Sequence, residues 1–317
     1  MPVTSREAPQ TGKLIKATRN VFLVDINHRI VSCSIRGKLA GASGDKNFSL
    51  KVGDDVKARL ISEEEGVIEE VLPRRSQLSR AVEGKAYREH LIATNIDQIL
   101  IIMSARRPAF KSGLLDRYLV IAQKNRLNAV ICINKIDLAD PEEFEEYASW
   151  YPRLGYPLFF TSALRREGID KIKSILQNKV SVLVGHSGVG KSLLLQRIEP
   201  GLDLKISSIS DKTRKGRHTT THVQLFPLSF GGYIIDTPGV RELGLWDIYR
   251  DELKDYFVEF QTFGEDCQFN NCRHIKEPGC AVKAAVGEGK IFAERYQNYK
   301  NIFNDLRAAS YEMIRRR

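Results

Sequence analysis

Over residues 1–75, apolar and polar positions partly alternate in short runs, as they do in strands with one buried face. The runs are 13-KLIKAT-18, 21-VFLVDI-26, 30-IVSCSIRG-37, 55-DVKARLI-61 and 66-GVIEEVL-72, and Gly41, Gly44, Gly53 and Asp54 mark joins between them. About five strands in so short a span suit a small closed barrel, of which the OB-fold is the common nucleic-acid-binding type. The stretch 73-PRRSQLSR-80 then breaks the pattern with a proline and three arginines, and reads as a linker.

Beyond it the period changes. Unbroken apolar strands at 98-QILIIMS-104, 129-AVICIN-134, 157-PLFFTSA-163 and 180-VSVLVG-185 alternate with helical stretches around 114-LLDRYLVIAQKN-125, 141-PEEFEEYASWYPRLG-155 and 168-GIDKIKSILQN-178. A further strand ends at 232-GYIIDTPG-239. Such alternation indicates a mostly parallel sheet covered on both faces. After residue 245 the chain reads as helical, and in 290–317 Phe292, Tyr296, Tyr299, Phe303 and Leu306 recur every three or four positions, as on a helix face packed against a core. The expected architecture is multi-domain: a β-barrel over 1–75, an α/β domain over 76–245 and a mainly helical domain over 246–317.

The 317 residues are 42% hydrophobic and 28% charged, an ordinary globular balance, and no apolar run approaches the roughly 20 residues that span a bilayer. The first residues, MPVTSREAPQTGK, lack the apolar segment of a secretory signal, so a cytoplasmic protein without membrane contact is expected. A net charge of +10 points to a polyanionic partner. Of five cysteines, Cys33 and Cys132 sit in strands and read as core residues, whereas Cys267, Cys272 and Cys280 crowd together. With His274 they form Cys-x4-Cys-x-His-x5-Cys, a closed set of three thiolates and one imidazole that suits a single structural Zn²⁺.

The chemistry concentrates in five short motifs. In 185-GHSGVGKS-192, which fits G-x-x-x-x-G-K-[ST], Gly185, His186, Ser187, Gly188, Val189 and Gly190 form a loop whose N–H groups can face phosphate oxygens. Lys191 would neutralise β- and γ-phosphate charge and Ser192 would ligate Mg²⁺. In 134-NKID-137 the Asp137 carboxylate can accept from guanine N1–H and N2–H₂, which adenine cannot supply, while Asn134 bridges loops and the Lys135 stem covers the ring. In 161-TSA-163, Ser162 and Ala163 lie at a strand end where the Ala163 N–H could meet guanine O6. In 236-DTPG-239, Asp236 would reach Mg²⁺ through water and the Gly239 N–H would sense the γ-phosphate. Within 216-GRHTTTH-222 a threonine would complete the Mg²⁺ shell, with Thr220 chosen over Thr219 on little ground.

These are guanine-nucleotide signatures in an unusual order, since the base-reading motifs precede the phosphate loop. Cutting the chain after Asp-x-x-Gly and joining the old ends restores the usual order, and the helix 168–178 running into strand 180–185 is the join. The α/β domain is therefore expected to be a circularly permuted P-loop GTPase.

The motifs 134-NKID-137, 161-TSA-163, 185-GHSGVGKS-192, 216-GRHTTT-221 and 236-DTPG-239, together with the Cys-x4-Cys-x-His-x5-Cys set and 36-RGKLA-40 among the N-terminal strands, resemble the ribosome-small-subunit-dependent GTPases known as RsgA or YjeQ. The resemblance covers nearly the whole chain. It implies an OB-fold barrel, a zinc-binding helical domain and a cytoplasmic factor that binds the 30S subunit and its 16S rRNA late in assembly. It also implies GTP hydrolysis to GDP that is weak alone and stimulated by the subunit.

Val240 follows Asp-x-x-Gly where many GTPases carry a glutamine that orients water, so the isolated domain is expected to be slow. His218 is the candidate to position water once a partner orders its segment, and Lys212, Arg214, Lys215 and Arg217 beside it could follow rRNA phosphates. Hydrolysis would then drive release of a monomeric factor. Three other readings are a nucleotide-sensing rRNA-binding module with incidental turnover, a P-loop ATPase or kinase, which Asp137 opposes, and a DNA-directed zinc protein, for which residues 267–280 offer no groove-reading finger.

Overall fold

The computed structural model describes residues 8–18, 21–35, 49–82, 88–202, 223–236, 245 and 248–306. The chain forms two compact units, Met1–Leu100 with Ile169–Leu183 and Lys191–Glu242, and Ile101–Gly168 with Val184–Gly190 and Leu243–Arg317. No helix among the described residues is long and apolar enough to cross a membrane.

The first unit begins with β1 (Gln10–Ala17), β2 (Phe22–Ile26), β3 (Arg29–Ile35), β4 (Asp55–Leu60) and β5 (Glu65–Val71). They run in the order β1-β2-β3-β5-β4, and β4 returns to β1, closing the barrel the alternation predicts. β3 and β5 are parallel, whereas β1–β2, β2–β3, β4–β5 and β1–β4 are antiparallel. Leu14, Val24, Val31, Cys33, Val56, Ala58, Ile68 and Val71 fill its interior. Gly12 must be glycine, because a Cβ there would lie 2.6 Å from Val24 Cγ1 and 2.8 Å from the Asp25 carbonyl.

Residues 73–75 do link elements, but the linker predicted to reach residue 80 ends earlier. Gln77 opens β6 (Gln77–Val82), which pairs antiparallel with β7 (Arg88–Thr94). The arginine and serine side chains disguise the strand, while Leu78 and Ser79 are buried. The segment before it is anchored too: Arg75 N–H donates to Asn95 Oδ1 at 2.7 Å, and Ser76 Oγ donates to the Ile96 carbonyl at 2.6 Å.

The remaining strands among the described residues are β8 (Gln98–Ser104), β9 (Asn128–Asn134), β10 (Leu158–Thr161), β11 (Val180–Val184), β12 (Gln224–Pro227) and β13 (Tyr233–Asp236). In the first unit the start of β8 neighbours β11, followed by β13, β12 and then β1 of the barrel. β11 and β13 are parallel, β12 is antiparallel to β13, and Lys16 of β1 pairs with Gln224 of β12. Tyr233 Oη donates to Asp25 Oδ2 at 2.9 Å, so the barrel is attached at both strands of the β12–β13 hairpin. Helices α3 (Ile169–Leu176) and α4 (Lys191–Ile198) also belong to this unit.

In the second unit, β8, β9 and β10 lie side by side, and β9 and β10 are parallel. β8 is buried along its whole length and β9 at every position after Asn128, as expected for a sheet covered on both faces. Helix α1 (Ser112–Lys124) follows β8. The helix predicted from Pro141 begins as a tight 3₁₀ turn, Pro141–Phe144, before α2 (Glu145–Arg153). Asp140 and Glu143 cap that turn reciprocally, and proline fits its first position. The C-terminal part holds α5 (Val258–Gly264), α6 (Ala281–Gly287) and α7 (Ala293–Asp305). Phe292, Tyr299, Phe303 and Leu306 are buried, so the aromatic repeat is the core face its spacing predicts.

Candidate functional site

Three of the predicted motifs meet at Asn134. β9 delivers this residue to the strand end 1% exposed, and its amide ties the loops together. Asn134 Nδ2 donates to the Val189 carbonyl at 2.9 Å, and Oδ1 accepts from Ala163 N–H and Thr161 Oγ1, each at 3.1 Å. Gly190 makes room for it: φ is +95°, and a Cβ would stand 2.5 Å from Asn134 Nδ2. Gly185, at φ +150°, passes so close to the end of β8 that a Cβ would be 2.2 Å from the Ile102 carbonyl.

Lys135 adopts a left-handed backbone, φ 59° and ψ 36°, which turns the chain sharply out of β9. Its Nζ donates to the Gly188 carbonyl at 2.6 Å and also to the Arg107 carbonyl. The ammonium thus braces the 185–190 loop, with its stem alongside Gly190. Asp137 is oriented by Ser162, whose Oγ donates to Oδ1 at 2.5 Å while accepting from Arg165 N–H at 3.1 Å. Asp137 Oδ2 has no hydrogen-bond partner among the described residues, so one carboxylate oxygen remains for a ligand's donors. Ala163 N–H is engaged with Asn134, so offering it to a base oxygen requires that this bond be shared or exchanged.

His186 and Ser187 are exposed in the loop, Val189 is buried, and α4 starts at Lys191 and Ser192 directly after Gly190. Asp236 ends β13, paired in register with Gln224, though its side chain lies outside the described residues. So do His218, Thr219, Thr220, Gly239, Val240 and the basic residues 212–217. Two contributors stand outside the sequence reading. Thr161 heads its motif and donates to Asn134, and its place beside Ser162 is the one sequence signal for that role. The Arg107–Pro108 segment matches no motif, and only folding brings it to Lys135 and Gly188.

Cys267, Cys272, His274 and Cys280 gather as predicted, with their ligand atoms all within 4.8 Å of one another. His274 Nδ1 lies 3.5 Å from Cys267 Sγ and 3.4 Å from Cys280 Sγ, and those two sulfurs are 4.0 Å apart. Tetrahedral coordination with metal–sulfur bonds near 2.3 Å places sulfurs roughly 3.8 Å apart, so the donor set fits a metal ion. Burial pushes the Cys272 thiol up to about 12, and burial with the nearby Lys254 ammonium lowers His274 toward the neutral imidazole a metal requires. Gly279, at φ +61°, closes the knuckle where a Cβ would meet Gln268 Oε1 at 2.5 Å. Cys33 and Cys132 are buried apart from this cluster, as expected of core residues.

Comparison with known proteins agrees with this geometry. The family model described as RsgA GTPase matches residues 71–246. The chain is 38% identical to a small ribosomal subunit biogenesis GTPase RsgA from Caldanaerobacter subterraneus, over 93% of this chain and 95% of that protein. The crystal structure of YjeQ from Thermotoga maritima superposes with a TM-score of 0.77 at 36% identity, covering 94% of this chain and 98% of that one. That of YloQ, titled a circularly permuted GTPase, gives 0.74 at 31% identity, covering 95% and 96%.

Proposed function

This chain belongs to the RsgA GTPase family, and from that membership we propose that it hydrolyses GTP on the 30S ribosomal subunit during late small-subunit assembly, with the subunit stimulating turnover and turnover driving release. The observation that carries the nucleotide half of this reading is the Asn134 cross-link, which joins both base-reading loops to the phosphate loop.

In this reading Asp137, held by Ser162, pairs with guanine, and the Lys135 stem covers its ring. The N–H groups of residues 185–190 surround the phosphates, and Lys191 neutralises charge on the transferred group. Mg²⁺, when bound with GTP, supplies the positive charge that offsets the β- and γ-phosphates; Ser192, Thr220 and, through water, Asp236 would hold it. Gly239 senses the γ-phosphate, and His218 positions the attacking water when rRNA is bound. The Cys267, Cys272, His274 and Cys280 centre holds one Zn²⁺, whose role is structural because four protein ligands leave no open position.

The proposed division is a barrel over 1–75 that contacts 16S rRNA, a permuted GTPase domain over 76–245 and a zinc-binding helical domain over 246–317. The protein acts as a monomer in the cytoplasm. The test is GTP turnover by the purified protein alone, with 30S and with 50S subunits at moderate salt. Stimulation by 30S and not by 50S is expected, and equal or absent stimulation would remove the proposed partner.

A further inference from the structure

The last described helix of the second unit is bound to α1 by charges that see no water. Arg295 of α7 is fully buried, and its Nη1 donates to Asp116 of α1, which is equally buried. Its Nε donates to Glu259 of α5 at 2.5 Å. The guanidinium lies over the rings of Phe257, Tyr156 and Tyr151 at 4.7, 5.6 and 5.7 Å. Burial opposes the Arg295 charge, but Glu259 and Asp116 outweigh it and hold it well above the usual guanidinium range. Two neighbours of Arg295 extend the seam: Asn298 Nδ2 donates to Asp116 Oδ2 at 2.8 Å and to Ser112 Oγ at 3.1 Å, and Ser112 Oγ donates to Glu294 Oε1 at 2.5 Å.

A buried ionic triad is a poor source of stability, because desolvation consumes much of its Coulombic gain, but it fixes register. Sliding or tilting α7 on α1 would strand Asp116 or Glu259 without a partner. What the seam fixes is therefore the position of α1 relative to α7, and both helices lead to a site. In front of α1, Ala105 N–H donates to the Asn134 carbonyl at 2.9 Å, the Arg107 carbonyl accepts from Lys135 Nζ, and Pro108 Cδ lies 3.5 Å from where a Gly188 Cβ would stand. From α7 itself, Tyr296 Oη donates to the His274 carbonyl at 2.7 Å and Tyr299 Oη donates to the Arg273 carbonyl at 2.6 Å.

We propose that Arg295 is a positioning residue for the nucleotide: through Asp116 and α1 it holds the 105–108 segment against Lys135 and Gly188, so the metal-bearing part of the chain sets how tightly guanine nucleotide is bound. The inference rests on the assignment of Asn134, Lys135 and Asp137 to guanine. Coupling of this kind is reciprocal, so nucleotide binding also biases the seat of α7.

The test is the Kd of a fluorescent GDP analogue for the full-length, zinc-loaded protein, with binding stoichiometry, zinc content and melting temperature measured on each sample. The variants are R295M, R295K and N298A. Roughly tenfold weaker binding is expected for R295M and N298A at unchanged stoichiometry, with R295K recovering much of it. A purely structural role would lower the melting temperature and the competent fraction while leaving the Kd of that fraction alone. Wild-type Kd in a folded, zinc-loaded R295M or N298A overturns the proposal, and if R295M does not fold, N298A decides. D137N separates the premise: wild-type affinity in D137N removes the guanine assignment itself, whereas its loss beside unaffected seam variants removes only the positioning role.

Discussion

Asp54, wholly buried at the turn before β4, receives Arg74 through two hydrogen bonds, from Nε at 2.7 Å to Oδ1 and from Nη2 at 2.9 Å to Oδ2. Thr94 Oγ1 at 2.8 Å and Lys51 N–H at 2.8 Å complete its shell. The carboxylate thus fastens the barrel turn to the chain that leaves it. Substituting Asp54 by alanine leaves Arg74 and Thr94 without their acceptor, and a loss of about 3 kcal/mol is expected. Chemical denaturation of the two proteins measures it, and a loss under about 1 kcal/mol would show that water replaces the pair.

Ser162 to alanine removes the hydroxyl that orients Asp137. Guanine nucleotide should bind roughly fivefold more weakly, corresponding to about 1 kcal/mol for one hydrogen bond, with turnover at saturation unchanged. Steady-state kinetics separates the two effects. A fall in kcat at unchanged KM would contradict the assignment.

Gly190 to alanine asks a residue with a side chain to hold φ +95° with its Cβ 2.5 Å from Asn134 Nδ2. Nucleotide affinity should fall at least about tenfold, because the phosphate loop and the guanine loops share that amide. Zinc content should be unaffected. Calorimetric titration with GDP, alongside metal analysis, tests both statements.

Much of this was legible beforehand, for reasons that differ by element. Thiolate and imidazole ligands must be close for a structural metal, so Cys267, Cys272, His274 and Cys280 announce their meeting by spacing alone. The barrel strands showed because one face is wet and the other dry. β6, β7 and β12 did not, since polar and charged residues break the pattern of 77-QLSRAV-82 and 88-REHLIAT-94, β12 is only four residues long, and the pairing partners decide that these segments are strands. The Arg107 segment was invisible for another reason: it contributes a carbonyl, which any residue possesses.

Metal binding should release protons. Burial pushes the Cys272 thiol up to about 12, so thiolate forms there only in exchange for the cation. Zinc affinity should therefore fall as pH drops from 8 to 6, and calorimetry in buffers of different ionisation enthalpy should detect protons leaving on zinc addition. Affinity independent of pH would count against a thiolate-ligated ion.

Glu277 gives the chain a pH signature near the same loop. Burial raises its carboxyl, but N–H groups of Arg273, Ile275 and Lys276, each at 2.9 Å, outweigh burial and hold it at about 2. The folded value lies below the unfolded one, roughly 4.3, so its contribution is complete above that value and is lost as pH falls toward about 2. E277Q should melt lower than the parent at pH 7, and the gap should narrow from pH 4 to pH 2. A gap that does not change with pH would locate the effect in packing.

The antiparallel contact between Lys16 and Gln224 has a temporal side. During synthesis β1 leaves the ribosome well before β12 and can close its barrel through residues 10–13 once β4 and β5 have followed, yet its end at Lys16 faces a strand that does not yet exist. Until residues 224–227 emerge, the nascent chain carries a closed barrel in which only the end of β1 at Lys16, beyond its pairing with β4, lacks a neighbouring strand. The last step in completing that sheet is consequently a capture of late sequence by early sequence, and a ribosome-stalled chain ending before residue 224 should display that end of β1 to any passing strand.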